Sequence, residues 1–160
     1  MDAEIEGYGR RIRSLLERVC ACLDGLSEAQ LNWRPSMHGA NSAYVIAAHT
    51  LGNARAWVLG IACGWAVERD RPAEFQASGP DAADLTAQAR RLSDDIDAAL
   101  AALAPSALAQ RLLPPKSLFG EGELREISVR EVLLDVVEHA SIHLGQLQIT
   151  RDLALRESQA

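Results

Sequence analysis

Four long segments of the sequence repeat apolar residues every three or four positions, and this period constrains the fold more than any other feature. The segments run from about Asp2 to Leu23, Asn41 to Gly64, Asp81 to Leu103 and Ser128 to Leu153. Such spacing puts the apolar side chains on one face of an α-helix. Because each helix must bury that face against the others, we expect an all-α four-helix bundle.

Polar residues and helix breakers indicate where these helices begin and end. Asn41 and Ser42 are good N-cap residues, and Ser128-Val-Arg-Glu131 has the form of a capping box. Proline and glycine interrupt the connecting stretches. The longest stretch contains SLFGEGELREI, which predicts a short hairpin near 117-127. The sequence has no internal repeat, and its length suits one domain over residues 1-160.

Composition narrows the class of protein. With 48% hydrophobic and 24% charged residues, the 160-residue chain has a globular profile. A net charge of −6 and the lack of a basic stripe argue against a nucleic-acid partner. No apolar run reaches the length of about 20 residues that a membrane span needs. The acidic start, with no apolar signal segment, and the odd count of 3 cysteines lead us to expect a cytoplasmic protein.

The stretch VVEHASIHLGQL, residues 136-147, places two histidines in an otherwise apolar helix. His139 and His143 are four residues apart, so they are neighbours on one helix face. Val132, Val136 and Leu147 share that face by the same spacing. The pair is therefore expected to point towards the core.

A third histidine, His49, interrupts the apolar face of the second helix in the same way. A single core histidine is more often a hydrogen-bonded structural residue than a ligand. Three inward-facing imidazoles without a common purpose are costly to satisfy, however. Two from one helix and one from another can bind one metal ion and leave a position open. Imidazole suits Zn, Ni, Fe or Mn, so the ligand set does not specify the metal.

Single residues near the histidines exclude two rival motifs. A zincin helix reads H-E-x-x-H, but Ala140 follows His139. No Glu stands three residues before any of the three histidines, as a di-iron bundle would require. We therefore expect one metal ion. Glu138 is either a partner of a ligand imidazole or a solvated carboxylate, Gln146 either lines the pocket or bonds to the second helix, and His38 is expected to be an exposed loop residue.

Other side chains are weaker candidates. Four aromatic residues could form pocket walls, although plain packing suits each of them: Trp33, Tyr44, Trp57 and Phe119. Three arginines could hold a substrate carboxylate, although surface charge is the more ordinary interpretation: Arg34, Arg55 and Arg69.

Three stretches together resemble the DinB/YfiT-like family of metal-dependent four-helix proteins. They are LNWRP before the second helix, NSAYVIAAHTLGNARAW across it, and VLLDVVEHASIHLGQLQI in the fourth. The resemblance implies an up-down-down-up bundle and one divalent metal ion bound by His49, His139 and His143. It also implies a homodimer.

The resemblance further suggests a reaction, because some relatives are thiol transferases. We therefore expect a thiol-dependent S-transferase-like enzyme in which the metal activates a low-molecular-weight thiol or water for attack on a small-molecule substrate. A metal-assisted hydrolase is one alternative. Another is a non-catalytic dimer that binds a small molecule or a partner and holds a structural metal.

Overall fold

The computed structural model describes residues 2–157 and is mostly helical, at 69%. The elements are α1 (Ala3–Ala21), α2 (Glu28–Asn32), α3 (Ala43–Ala54), a π-helical continuation of α3 (Arg55–Ala62), α4 (Arg71–Gln76), α5 (Ala83–Ala102), a 3₁₀ turn (Pro105–Ala109), β1 (Arg111–Leu112), α6 (Lys116–Phe119), β2 (Ile127–Ser128) and α7 (Val129–Glu157).

Side-chain caps fix the starts of the long helices. Ser42 is the N-cap of α3, and its hydroxyl accepts a hydrogen bond from the Val45 backbone N–H. At the start of α7, the Ser128 backbone N–H donates to Glu131, and the Glu131 N–H donates back to the Ser128 hydroxyl. This reciprocal pair is the predicted capping box, and it satisfies backbone donors that would otherwise lack partners.

The helices α1, α3, α5 and α7 form the predicted bundle, in which α1 packs against α5 and α7, and α3 packs against the same two helices. Pairs between helix ends give the directions. Glu4 and Arg130, at the starts of α1 and α7, form an ion pair. Arg13 in the middle of α1 bonds to Asp97 near the end of α5, and Cys20 at the end of α1 bonds to Thr86 near the start of α5, so these helices run in opposite directions. Together with the antiparallel packing of α3 on α7, this is the expected up-down-down-up order.

The second long helix changes its hydrogen-bonding pattern partway along. It begins as the α-helix α3 and continues over Arg55–Ala62 as a π-helix. π-helical turns are rare and frequently occur at functional sites. Here the π-helical turn begins six residues after His49 and carries Trp57, which lines a cavity together with His139.

The connections hold more structure than the sequence analysis predicted. The short sheet pairs Arg111 with Ser128 and Leu112 with Ile127, so its first strand precedes the predicted 117-127 hairpin. Residues 116–119 form a helical turn instead of a strand. Two short helices, α2 and α4, lie in stretches that we expected to be loops.

The cysteines lie apart from the histidines. Cys20 and Cys22 are buried, Cys63 is half-buried, and all three are free thiols. Burial raises the pKa of both Cys20 and Cys63 to about 11, so neither is a reactive thiolate near neutral pH. Among residues 2–157, no helix is long and apolar enough to cross a membrane.

Candidate metal centre

The three predicted histidines meet at one point between α3 and α7. The Nε2 atom of His139 lies 3.2 Å from Nε2 of His49 and 3.2 Å from Nε2 of His143. One potential ligand atom from each residue lies within 4.8 Å of the other two. His49 is buried, and His139 and His143 are half-buried. The fold therefore brings together residues 90 positions apart in a group that could hold a metal ion.

The outer ring nitrogens show which atoms are free to bind. Nδ1 of His49 lies 2.8 Å from the Glu74 carboxylate, and Nδ1 of His143 lies 2.7 Å from the Gln146 side-chain oxygen. Both partners are acceptors, so both Nδ1 atoms carry the proton and both Nε2 atoms present lone pairs. A proton on Nε2 of His139 could form a hydrogen bond with only one of the other two Nε2 atoms. At least two lone pairs therefore face each other, an arrangement that a cation would stabilise.

A carboxylate on α4 orients His49. Glu74 accepts the hydrogen bond from His49, and Arg69 donates to both of its oxygens at 2.8 and 2.9 Å. The Arg69 side chain is only 4% exposed and also donates to the Leu118 carbonyl. Metal-binding histidines commonly donate their other N–H to a carboxylate, which fixes the tautomer and the ring orientation.

Two further residues shape the surroundings of Glu74 and His49. A Cβ added at Gly52 would fall within 2.6 Å of the Glu74 carboxyl carbon, so the bare backbone there makes room for the side chain. The Phe75 ring lies 4.7 Å from the His49 ring, centroid to centroid. Gly52 lies three residues after His49 on α3, and α4 can approach α3 closely there because Gly52 has no side chain.

Burial favours the neutral imidazole at His139 and His143. Loss of water lowers the pKa of His139 to about 3, and the neighbouring His143 and His49 act in the same direction. Burial also lowers the pKa of His143, although the hydrogen bond with Gln146 opposes this. For Glu74, burial alone would raise the pKa, but the hydrogen bonds with His49 and Arg69 lower it overall. A neutral imidazole is the form that binds a metal.

The structure also places the neighbouring candidates. Gln146 bonds to His143 within its own helix, not to the second helix. His38 is an exposed loop residue, as predicted, and it is not part of the histidine group. Glu138 is exposed and borders a small cavity beside His139.

Some of the aromatic and arginine candidates lie near the histidine cluster, and others lie on the surface. Trp57 borders that cavity, and its ring stacks on Phe119 at 5.5 Å. Arg34 and Arg55 are exposed, as the surface interpretation predicted. That interpretation was wrong for Arg69, whose guanidinium is buried on Glu74.

Sequence reasoning missed Glu74, Arg69 and Gly52 as parts of the site. Glu74 is 25 residues beyond His49, and no local period connects the two. One signal could have located α4: Asp70 is its N-cap, and Pro72 stands at its start. This pattern marks a helix N-terminus. It would have predicted the helix, but not the packing of the helix on His49.

The fold and the histidine group define a class: an all-α bundle with a group of three histidines that could hold a metal ion. The family model of the DinB superfamily matches residues 11–147, and the chain belongs to that superfamily. The family membership that the three sequence stretches predicted is thus confirmed.

Comparison with solved structures supports the same fold. A crystal structure of a conserved protein from Enterococcus faecalis matches with a TM-score of 0.68, covering 97% of this chain and 98% of the other. Sequence identity is 15%, so this likeness concerns the fold alone. No curated protein matches the chain.

Proposed function

We propose that the protein is a mononuclear metal-dependent enzyme in which His49, His139 and His143 bind one divalent ion. We further propose that its reaction transfers a low-molecular-weight thiol to a small electrophile. The observation that carries the metal is the convergence of three imidazole nitrogens, with the outer Nδ1 atoms of His49 and His143 held by acceptors and the pKa of His139 and His143 lowered by burial. The support for the thiol is the family resemblance.

When bound, a divalent ion in such a site lowers the pKa of a thiol or water ligand and makes it a nucleophile near neutral pH. The chain's own residues prepare the site. Glu74 holds the Nδ1 proton of His49, and Gln146 holds that of His143, so both rings keep a fixed orientation. The transfer itself exchanges a thiol proton and a leaving group: a thiol and an aryl chloride give a thioether and hydrogen chloride.

No fourth histidine or cysteine completes the cluster among residues 2–157, which favours an open coordination position. A solvent-accessible cavity also borders His139. These two observations favour an enzyme over a structural metal site, because catalytic sites keep one position for water or substrate.

We also propose that the protein is a homodimer, as the resemblance implies. Four large apolar residues on α7 are exposed, at spacings that keep them on one side of the helix: Leu134, Ile142, Ile149 and Leu153. An exposed apolar stripe of this kind is typical of an interaction surface. A second copy of the chain would cover it.

The first test is metal content by elemental analysis after reconstitution with Zn, Ni, Mn or Fe. Wild type should bind about one ion per chain, and the His139→Ala/His143→Ala variant should bind none. His38→Ala, which removes an exposed histidine, is the matched control and should bind like wild type. If the metal-loaded protein fails to join any small thiol to an aryl chloride, the thiol-transfer proposal fails and the metal-assisted hydrolase becomes the reaction to test. A chain that binds no metal would instead be a non-catalytic binding module.

A further inference from the structure

A small cavity adjoins the histidine cluster on the side of α7 that faces the π-helical turn. Its volume is about 250 Å³, and six residues line it: Asn53, Trp57, Asp135, Glu138, His139 and Ile142. The volume is enough for a molecule the size of a single amino acid. Because His139 belongs both to the cluster and to the cavity wall, a ligand in the cavity would lie directly beside the metal site.

One wall of this cavity carries hydrogen-bond donors that lack acceptors. The Asn53 amide is 7% exposed and lines the cavity. The indole Nε1 of Trp57 and Nδ1 of His139 are buried without a hydrogen-bond partner within residues 2–157. Buried polar groups are normally hydrogen-bonded, and each exception costs free energy. Two such groups on residues that line one cavity, beside the Asn53 amide, favour an oxygen acceptor as its occupant.

The other wall is acidic. Asp135 and Glu138 stand one turn apart on α7, and neither forms an ion pair or a side-chain hydrogen bond with the described residues. Arg125 is the cation that acts on Asp135, but it does not line the cavity. Burial raises the pKa of Asp135, and the charges of Glu138 and Glu131 add to this effect. A cation placed between the two carboxylates would relieve their repulsion.

We propose that the cavity binds a small ligand of the amino-acid type, with an ammonium group between Asp135 and Glu138 and a carboxylate or carbonyl oxygen on Asn53 and Trp57. This proposal rests on the proposed function, since it identifies the class of thiol that the site takes: one that carries an amino group. Ile142 and Trp57 line the same cavity and would contact the carbon skeleton of such a ligand.

The test compares three probes that differ by one group each. They are L-cysteine, 3-mercaptopropionate, which lacks the amino group, and cysteamine, which lacks the carboxylate. Binding is followed by the indole N–H signal of Trp57 in ¹H–¹⁵N NMR spectra, assigned with Trp57→Phe because the chain has 3 tryptophans. The titrations use wild type in zinc-free and zinc-loaded forms, so the cavity is tested whether or not a metal binds.

L-cysteine should bind at least about tenfold more tightly than 3-mercaptopropionate, as expected for a charge-assisted hydrogen bond. Cysteamine should bind with intermediate affinity. Asp135→Asn/Glu138→Gln should abolish the preference, whereas Asp152→Asn/Glu157→Gln, which removes the same charge elsewhere on α7, should preserve it.

Equal binding of L-cysteine and 3-mercaptopropionate by wild type would overturn the proposal, whatever the variants do. If the preference for the amino group appears in the zinc-free protein but zinc adds nothing to the affinity, the cavity proposal stands and the metal-thiol function fails. If zinc raises the affinity for both thiols equally, without a preference for the amino group, the metal function stands and the cavity proposal fails.

Discussion

Nδ1 of His49 lies 2.8 Å from Oε2 of Glu74, and this hydrogen bond connects the histidine cluster to a helix outside the four-helix bundle. Glu74 is fixed in turn by two hydrogen bonds from Arg69. The carboxylate therefore orients one ligand of the candidate site while its own position is set by a buried cation.

Replacing Glu74 should weaken metal binding without removing a ligand. In Glu74→Gln, an amide replaces the carboxylate that holds the His49 proton, and affinity for zinc should fall about 10- to 100-fold. Competition with a chromophoric chelator measures this affinity. The control is Glu121→Gln, which removes an exposed carboxylate paired with Arg71 and should leave zinc affinity unchanged. Equal affinities for both variants would show that Glu74 does not support the site.

Gly52→Ala tests whether the close approach of α4 matters. The new methyl group would overlap with Glu74, which cannot easily move because Arg69 and His49 hold it. We expect weaker zinc binding and a lower melting temperature. Gly7→Ala is the matched control on α1, where nothing lies within 4 Å of the added carbon. That change should stabilise the helix by roughly 0.5–1 kcal/mol. A stabilising effect in both variants would contradict the packing described here.

The metal-free protein should lose stability as the pH falls below about 6.5. Burial lowers the pKa of His139 from its ordinary value of 6.5 to about 3 in the folded state. Between these values the unfolded chain binds the extra proton, so stability decreases with falling pH by up to about 1.4 kcal/mol per unit for this group. His143, whose pKa is also lowered, adds to the same trend.

Urea denaturation from pH 7 to pH 5 measures this dependence above the ordinary pKa range of carboxyl groups. His139→Gln should reduce the slope, whereas His38→Gln, at an exposed position, should leave it unchanged. A wild-type protein whose stability is flat over this range would show that the cluster is not buried as a neutral group.

The proposed dimer can be broken on its exposed apolar stripe. Ile149 is 65% exposed on α7, and Ile149→Glu would place a charge in the centre of the interface. Size-exclusion chromatography with light scattering should then report a monomer. Gln148→Glu adds the same charge at the neighbouring exposed position and should remain dimeric. If wild type is itself monomeric at micromolar concentration, the dimer proposal is wrong.

The sequence by itself determined the bundle and the three histidines. The period of three and four residues assigns four helices, and local caps such as Ser42 and the Ser128–Glu131 pair fix where two of them begin. The spacing of His139 and His143 puts them on one helix face, which is a local property of the α-helix. These features are readable because each depends on residues that are close in the chain.

The tertiary structure alone decided what surrounds the histidines. Glu74 reaches His49, and Arg69 reaches Glu74, because α4 packs onto α3, and Gly52 permits that approach. The cavity wall joins Asn53 and Trp57 on one helix with Asp135 and Glu138 on another. No sequence period encodes these contacts, since they depend on how loops and helices pack across long separations. The ligand candidates follow from local helix geometry, whereas their partners follow from the packing of the whole chain.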